Sequence, residues 1–259
     1  MSSETSNDSE TVSVELNLAT DQWEMRLKMA VPAGPTRLRQ MLPLIHDLTN
    51  SVVDTAVRTD EAQGKKVSCS KGCGACCRQL VPVAPAEAHQ IRDLVESMPE
   101  PRRSELLGRF ARARERIKES GMLDELLDTG RIADGTARNV GLSYFSLGIP
   151  CPFLEDESCS IYHDRPVVCR EYLVTSPAIN CASPSPESVQ RVPLPFRIWT
   201  AVAACAERRG DAKYLPWVPL SLAPEWATTH AEETASQSGP DLLRKLFEFI
   251  TKKNIPEPS

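Results

Sequence analysis

Two stretches near the start of the chain alternate between apolar and polar residues, as a half-buried β-strand does. Apolar residues occupy every second position from Val12 to Leu18 and again from Trp23 to Met29. The polar tripeptide Thr20-Asp21-Gln22 separates the two runs, so the pattern predicts a β-hairpin. Because an isolated hairpin is only marginally stable in water, we expect this one to pack against another element.

Beyond the break at 31–35, apolar residues recur at helical spacing. They predict a long helix with Thr36 as its N-cap that reaches about Asp60, and Pro43 marks either its true start or a kink. His46, within this helix, is expected to be a surface or hydrogen-bonded histidine. Residues 80–83 are apolar and predict a short strand that covers a site in the preceding segment. The remaining predicted helices span about 85–98, 104–119, 123–127, 196–208 and 241–252.

Charge and hydropathy narrow the classes of function. The net charge is −5 at pH 7 and the pI is about 5.5, so we expect no broad basic surface and no nucleic-acid partner. Residues 1–10 are polar and acidic and resemble no signal peptide. The sequence contains no run of about 18 apolar residues that would span a bilayer. We therefore expect a cytoplasmic protein without a membrane partner.

The cysteines carry the most specific signal. Eight of the nine fall into two groups of four, and Cys205 lies outside both, where we expect a small core residue. The first group has the compact spacing Cys-x3-Cys-x2-Cys-Cys, whereas the second is spread over 31 residues. In a reducing compartment, such groups indicate thiolate metal ligands rather than disulfides. The eight candidate ligands are Cys69, Cys73, Cys76, Cys77, Cys151, Cys159, Cys169 and Cys181.

Thiolates suit zinc and iron–sulfur clusters alike. Zinc ribbons usually present two Cys-x2-Cys knuckles and the second group has none, so a compact triad with remote ligands is more typical of iron–sulfur ligation. Adjacent side chains such as Cys76 and Cys77 are expected to point in different directions, which favours two metals or a bridged pair. The expected cofactor is therefore an iron–sulfur cluster or Zn²⁺, in one or two sites.

Other residues near the cysteines can support such a site. Arg165 and Arg170 could donate hydrogen bonds to sulfur or offset the negative charge of the thiolates, so both are candidate cofactor-binding residues, with surface ion pairing as the alternative. A proline at 166 is expected to start a helical turn that presents Cys169. His163 is a conceivable further ligand. Glycines 72 and 74 are expected to let the backbone wrap closely around a metal through positive φ angles.

The cysteine segments resemble a known family. The run from Cys69 to Cys77, the sequence Cys-Pro-Phe-Leu from Cys151, and the sequence Cys-Ser-Ile-Tyr-x-x-Arg-Pro-x-x-Cys-Arg-x-Tyr from Cys159 are similar to the YkgJ-like cysteine-cluster family. The likeness covers about 65–185, with Cys181 as the last matching cysteine. It implies a zinc- or iron-chelating domain in which all eight grouped cysteines are ligands, and it implies no settled activity.

Three function hypotheses stay open at this point. The first is a metal-binding protein with a protein or redox partner of unknown identity. The second is an enzyme, because flagellin lysine N-methylases resemble the family in their cysteine motif, which implies methyl transfer from S-adenosylmethionine. The first three cysteines also have the spacing of the radical S-adenosylmethionine motif, although no repeated strand–helix series follows them. The third is a non-enzymatic interaction module stapled by zinc.

Together these patterns predict a mainly helical α+β protein with a loop-rich metal-binding centre and an N-terminal β-hairpin. We divide the chain into a disordered tail over 1–10, a hairpin and helix over 11–64, a cysteine-cluster domain over 65–185 and a helical extension over 186–259.

Overall fold

The computed structural model describes residues 10–19, 24–185, 187–206, 214–232 and 237–252. The predicted disordered tail therefore lies outside the described residues, apart from Glu10. Helices dominate the fold, and they are numbered here in chain order. Helices α1 to α9 span Leu38–Ala62, Pro85–Glu96, Arg102–Glu119, Leu123–Leu127, Asp134–Ser146, Val167–Glu171, Ile198–Cys205, Ala223–Thr229 and Gly239–Lys252.

The strands are short, except for the first two, and they pair antiparallel. Strand β1 pairs with β2, β3 with β8, β4 with β7 and β5 with β6. The third and fourth pairs matter for the site. Strand β4 follows the first cysteine group, and β5 and β6 lie within the second group. Strands β1 to β8 span Thr11–Ala19, Glu24–Pro32, Pro35–Thr36, Pro82–Val83, Leu154–Glu155, Ser158–Cys159, Val218–Pro219 and Gln237–Ser238.

The predicted hairpin is confirmed. Val14 faces Met29 and Leu18 faces Met25 across β1 and β2, and one face of the ribbon is buried at Leu18, Met29 and Val31. The proposed turn residues 20–22 lie outside the described residues. The hairpin packs on α1 and α9, because its buried residues belong to the same core as theirs, so a ribbon that would be marginal alone gains its stability from helices.

The long predicted helix is confirmed, but its start differs from the prediction. Arg37, not Thr36, is the N-cap of α1, and the Gln40 side chain accepts a hydrogen bond from the Arg37 amide at 2.8 Å. The Thr36 hydroxyl instead donates to the Gly34 carbonyl, because Thr36 lies in β3 and pairs with Gln237. Pro43 lies on an exposed position inside α1.

Two further cores surround the cysteine segments. One joins α2, part of α3 and α8 around Phe153 and Trp226, and the other joins the end of α3 to α5 around Ile117 and Tyr144. Helix α5 falls where the sequence predicted no helix. Its buried positions are spaced by three and four residues, but glycines 135 and 141 weaken the helical signal. The two cores give the irregular cysteine segments a rigid surround.

The mainly helical α+β fold is confirmed, with the predicted hairpin at its N-terminus. The predicted strand over 80–83 is confirmed as β4, and the helices predicted after Pro85, near Ser104, at 123–127, in 196–208 and in 241–252 all occur within one or two residues of their expected starts. The helix predicted over 196–208 ends at Cys205, and the last two residues of that prediction lie outside the described residues. Among the described helices, none is both long and apolar enough to cross a bilayer.

Candidate metal centre

All eight grouped cysteines line one cavity of about 150 Å³. Cys181 is buried and the other seven are half-buried, whereas Cys205 is buried in the first core among residues of α1, α7 and α9, as predicted. The cavity therefore gathers sulfur atoms from chain positions more than a hundred residues apart. The rest of its wall is mainly apolar and includes Leu80, Val81, Phe153, Ile161, Val168 and Leu220.

Backbone hydrogen bonds hold the first cysteine group against the second. The Cys151 amide donates to the Cys77 carbonyl at 2.7 Å, which joins the two groups directly. The Val174 amide donates to the Cys69 sulfur at 3.3 Å, and the Ser68 amide donates to the Val174 carbonyl at 2.9 Å. Both ends of the first group are therefore hydrogen-bonded to the backbone of distant residues. The position of the group depends on these tertiary contacts as well as on its local turn.

Gly74 allows the first group to approach the β5–β6 hairpin. A Cβ atom at this position would lie 2.7 Å from the Glu157 carbonyl oxygen and 2.6 Å from the Leu154 Cδ1 atom. The need for glycine here is close packing and not a positive φ, whereas Gly72 does have the positive φ of 94° that was predicted. The Arg78 guanidinium pairs with the Glu157 carboxylate at 2.6 Å and reinforces the same contact.

The short helix α6 presents Cys169, as predicted from Pro166. The buried Glu87 carboxylate accepts hydrogen bonds from the Val167 and Ala84 amides, both at 2.8 Å, which fixes the start of α6 to the start of α2. At the other end, Glu171 accepts from the Ile198 and Trp199 amides at the start of α7. Burial raises the pKa of each carboxyl to about 7.

Sequence reasoning missed these two glutamates. Glu87 has a local signal, since it stands three residues after Ala84, which is the position of the glutamate in a capping box. Glu171 has no comparable signal, because it caps a helix that begins 27 residues later. Both carboxylates act through backbone amides, and contacts of that kind leave no spacing pattern in the sequence.

Cys76 and Cys77 face the same cavity, contrary to the expectation that adjacent side chains point in different directions. Residues 75–78 form a turn, in which the Cys77 amide donates to the Gly74 carbonyl at 2.9 Å and the Gln79 amide donates to the Cys76 carbonyl at 3.1 Å. Successive side chains of such a turn diverge less than those of a strand, so both sulfurs reach the cavity. The Cys77 thiol raises the pKa of Cys76 through a hydrogen bond, with burial as the second cause.

Burial and mutual repulsion hold several of these thiols in the protonated form. Burial raises the pKa of Cys151 to about 12 and that of Cys169 well above its usual value. It also raises the pKa values of Cys69, Cys159 and Cys181, to which neighbouring cysteines add. Thiolates packed this closely require positive charge among them, which a bound metal cation would supply.

Arg165 and Arg170 occupy different places. Arg165 lines the cavity with its guanidinium carbon 4.2 Å from the centre of the Tyr162 ring, and its charge lowers the pKa of Cys69, Cys76 and Cys159 as one of the smaller effects. Arg170 does not line the cavity. It donates instead to the Arg165 carbonyl at 2.9 Å, the His163 carbonyl and the Asn50 side chain.

Arg170 thus links α1 to the loop that carries Arg165. A direct contact between Arg170 and a metal group stays a prediction. His163 is exposed and does not line the cavity; its ring lies edge-on to Tyr162 with a centroid distance of 5.7 Å.

The donor atoms of the cavity fit a soft metal. Eight cysteines line the cavity, and no carboxylate or imidazole does so among the described residues, which favours zinc or iron–sulfur over magnesium or calcium. Among the described His, Cys, Asp and Glu side chains, no three are already grouped as the ligands of one ion. Completing a coordination shell around one ion would therefore require the thiols to move closer together.

Comparison with known proteins gives one match. Residues 68–187, just under half of the chain, match the CxxCxxCC family model, described as "Putative zinc- or iron-chelating domain". No curated protein and no solved structure gives a significant match. The match coincides with the segment that lines most of the cavity and supports metal binding by it. The match over residues 68–187 is consistent with the YkgJ-like cysteine-cluster family inferred from the motifs.

Proposed function

We propose that the protein holds an iron–sulfur centre through thiolates of the cysteine cavity. One observation carries this proposal: eight cysteines from both sequence groups line a single cavity, and among the described residues no carboxylate or imidazole lines it with them. A mononuclear zinc ion takes four ligands, so eight sulfurs around one space suit a multinuclear centre better than one ion.

Such a centre supplies one-electron transfer at a potential set by its surroundings. The residues of this chain would determine that potential in two ways. The apolar wall, with Phe153 and Ile161, excludes water, and the Arg165 charge beside the cavity favours the more negative state of the sulfurs. The proposed compartment is the cytoplasm, where thiolates stay reduced, and the proposed partner is a redox protein.

Zinc as a structural staple is the second candidate, and one observation favours it. The cavity draws together four separate stretches, namely 69–77, 151–159, Cys169 and Cys181, which contain little regular secondary structure. A metal at their junction would stabilise these irregular stretches relative to one another. This candidate predicts tightly bound zinc, no colour and no redox response.

Purification without oxygen, followed by metal analysis and visible absorption spectroscopy, separates these candidates. We expect iron and acid-labile sulfide with charge-transfer absorption that bleaches on reduction. Colourless protein with stoichiometric zinc would replace the iron–sulfur proposal with the zinc staple, and protein without either metal would overturn both. Cys76→Ser should lower the metal content, whereas the matched variant Cys205→Ala should keep it, because Cys205 lies in the first core.

A further inference from the structure

A second concave site shares a wall with the cysteine cavity. Gln79, Leu80 and Tyr172 line both spaces, and the Gln79 side-chain Nε2 donates to the Tyr172 hydroxyl at 3.1 Å. The second space has a volume of about 520 Å³, within the range of about 300–1,000 Å³ usual for small-molecule sites. We call it the arginine cleft; its characteristic residues are Arg138, Gly141, Leu142, Phe145, Val189 and Arg191.

One face of α5 forms the floor of the arginine cleft. Arg138, Gly141, Leu142 and Phe145 follow the spacing i, i+3, i+4, i+7, which places them on one side of a helix. The opposite side of α5 packs into the core around Ile117 and Tyr144. The Tyr144 hydroxyl there donates to the Ser221 hydroxyl at 3.1 Å. The floor is therefore anchored, although Leu142 remains 46% exposed.

Arg191 lines the same cleft from a different segment of the chain. Its backbone forms a bridge with Val174, and the Val192 amide donates to the Leu173 carbonyl at 2.9 Å. The guanidinium carbon lies 4.8 Å from the centre of the Tyr172 ring. A guanidinium stacked on an aromatic face keeps its N–H groups directed outward in its plane, where they can bind a carboxylate through two hydrogen bonds.

Neither arginine has its charge neutralised by a close partner. Within the described residues, the guanidinium groups of Arg138 and Arg191 form no hydrogen bond or ion pair. The pKa of Glu187 is lowered mainly by its own backbone amide and by Ser185, and Arg138 contributes least. Two cations beside an apolar surface thus lack an anion that the described fold supplies.

We propose that the arginine cleft binds a small organic carboxylate with an apolar body. Its carboxylate would accept hydrogen bonds from Arg138 and Arg191, and its apolar part would cover Leu142, Phe145 and Val189. The apolar contact surface selects an organic acid over an inorganic anion. The site does not depend on the proposed metal function, although the Gln79–Tyr172 wall places the bound molecule next to the cysteine cavity.

Isothermal titration calorimetry with 3-phenylpropionate and octanoate tests the proposal, with 3-phenylpropanamide as the neutral control. We expect saturable binding of at least one acid and at least about tenfold weaker binding of the amide, since each charged hydrogen bond contributes about 1.5–3 kcal/mol. The double variant R138Q/R191Q should weaken acid binding by at least about tenfold as well. The matched variant R26Q/R244Q removes the same charge from exposed positions outside the cleft and should bind as the wild type does.

Gly141→Leu provides an independent test that preserves the fold. A Cβ at Gly141 meets nothing within 4 Å, so a leucine there projects into the cleft and also improves helix propensity. Acid binding should disappear while the unfolding temperature stays or rises. Binding unchanged by Gly141→Leu or by R138Q/R191Q, or no saturable binding of either acid, would overturn the proposal.

Metal analysis of the same samples separates this inference from the metal proposal. If protein without metal binds the carboxylate, the result would support the arginine-cleft proposal and contradict only the metal-centre proposal. Full metal content without carboxylate binding would overturn the cleft alone.

Discussion

The Glu87 carboxylate accepts a hydrogen bond from the Val167 amide at 2.8 Å, two residues before Cys169. Its other oxygen accepts from the Ala84 amide at the same distance. Glu87 is only 1% exposed, and burial raises its pKa to about 7. One buried side chain therefore fixes the helix that carries a candidate ligand to the helix that follows β4.

We expect Glu87→Gln to lower both stability and metal content. Above pH 7 the carboxylate accepts from both amides, whereas a glutamine amide can accept from only one and turns an NH₂ group toward the other. An unsatisfied buried donor costs about 1–3 kcal/mol. Urea unfolding at pH 8 and metal analysis of the purified protein measure the two effects.

Glu96→Gln is the matched control, because Glu96 lies at the far end of the same helix, its side chain is 61% exposed, and its contact with Arg92 is as long as 3.9 Å. If Glu87→Gln and Glu96→Gln lose equal amounts of stability and bound metal, the capping of α6 by Glu87 has no role in the site.

The sequence predicted the elements of this fold better than their connections. Amphipathic periodicity located α1, α7 and α9, because the buried face of a helix imposes a spacing that can be read locally, and a first-turn proline located α2. It failed for α5, in which Gly135, Gly141 and exposed Leu142 interrupt the pattern. That helix forms the floor of the arginine cleft, so the cleft could not be predicted either.

The candidate site shows the same division. Spacing identified the eight cysteines, and the structure brings them to one cavity. The supporting contacts were not predictable, because Glu87 and Val167 are 80 residues apart and meet through a backbone amide. Gly74 was singled out for its backbone freedom, but the folded chain needs it for close approach to Glu157, a residue whose position depends on the β5–β6 hairpin.

Gly74→Ala should disrupt the joint between the two cysteine groups. A methyl group at this position would lie 2.7 Å from the Glu157 carbonyl oxygen and 2.9 Å from its carbonyl carbon, and backbone cannot move aside as a flexible side chain can. Overpacking of this kind costs about 1–3 kcal/mol. Thermal unfolding should shift downward and bound metal should fall.

Gly141→Ala serves as the control for Gly74→Ala, since its added methyl meets nothing within 4 Å and should leave the metal content unchanged. If both alanine variants bind equal amounts of metal, the close approach of Gly74 to the hairpin is not needed for the site.

His46 should make the fold less stable in acid. It is 8% exposed, and burial, followed by the Arg170 charge, lowers its pKa from 6.5 to about 4. Between these values the unfolded chain takes up a proton that the folded chain excludes, so this contribution to stability falls as pH drops from about 6.5 to about 4. At about 1.36 kcal/mol per unit, the loss amounts to at most about 3 kcal/mol.

Comparison with His46→Asn isolates this effect. The pKa values of Glu87 and Glu171 are raised, so their contributions change in the opposite direction, falling as pH rises from about 4.5 to about 7, and the total curve mixes all three. The difference in unfolding free energy between wild type and His46→Asn should shrink from pH 7 to pH 4.5. A difference that stays constant with pH would show that His46 is not a buried neutral histidine.

Removal of the metal should loosen the cysteine segments and spare the first core. Residues 69–77, 151–159 and 167–181 depend on turns, two-residue strands and a five-residue helix, whereas α1 and α9 share a core that also includes the hairpin and α7. Hydrogen exchange with mass spectrometry, before and after treatment with a chelator, should therefore show faster exchange in the cysteine segments and little change in α1 and α9. Cys76→Ser without chelator should reproduce the pattern, and Cys205→Ala should not. Equal acceleration throughout the chain would mean that the metal holds the whole fold together, and no change in 69–77 would place the metal outside the cysteine cavity.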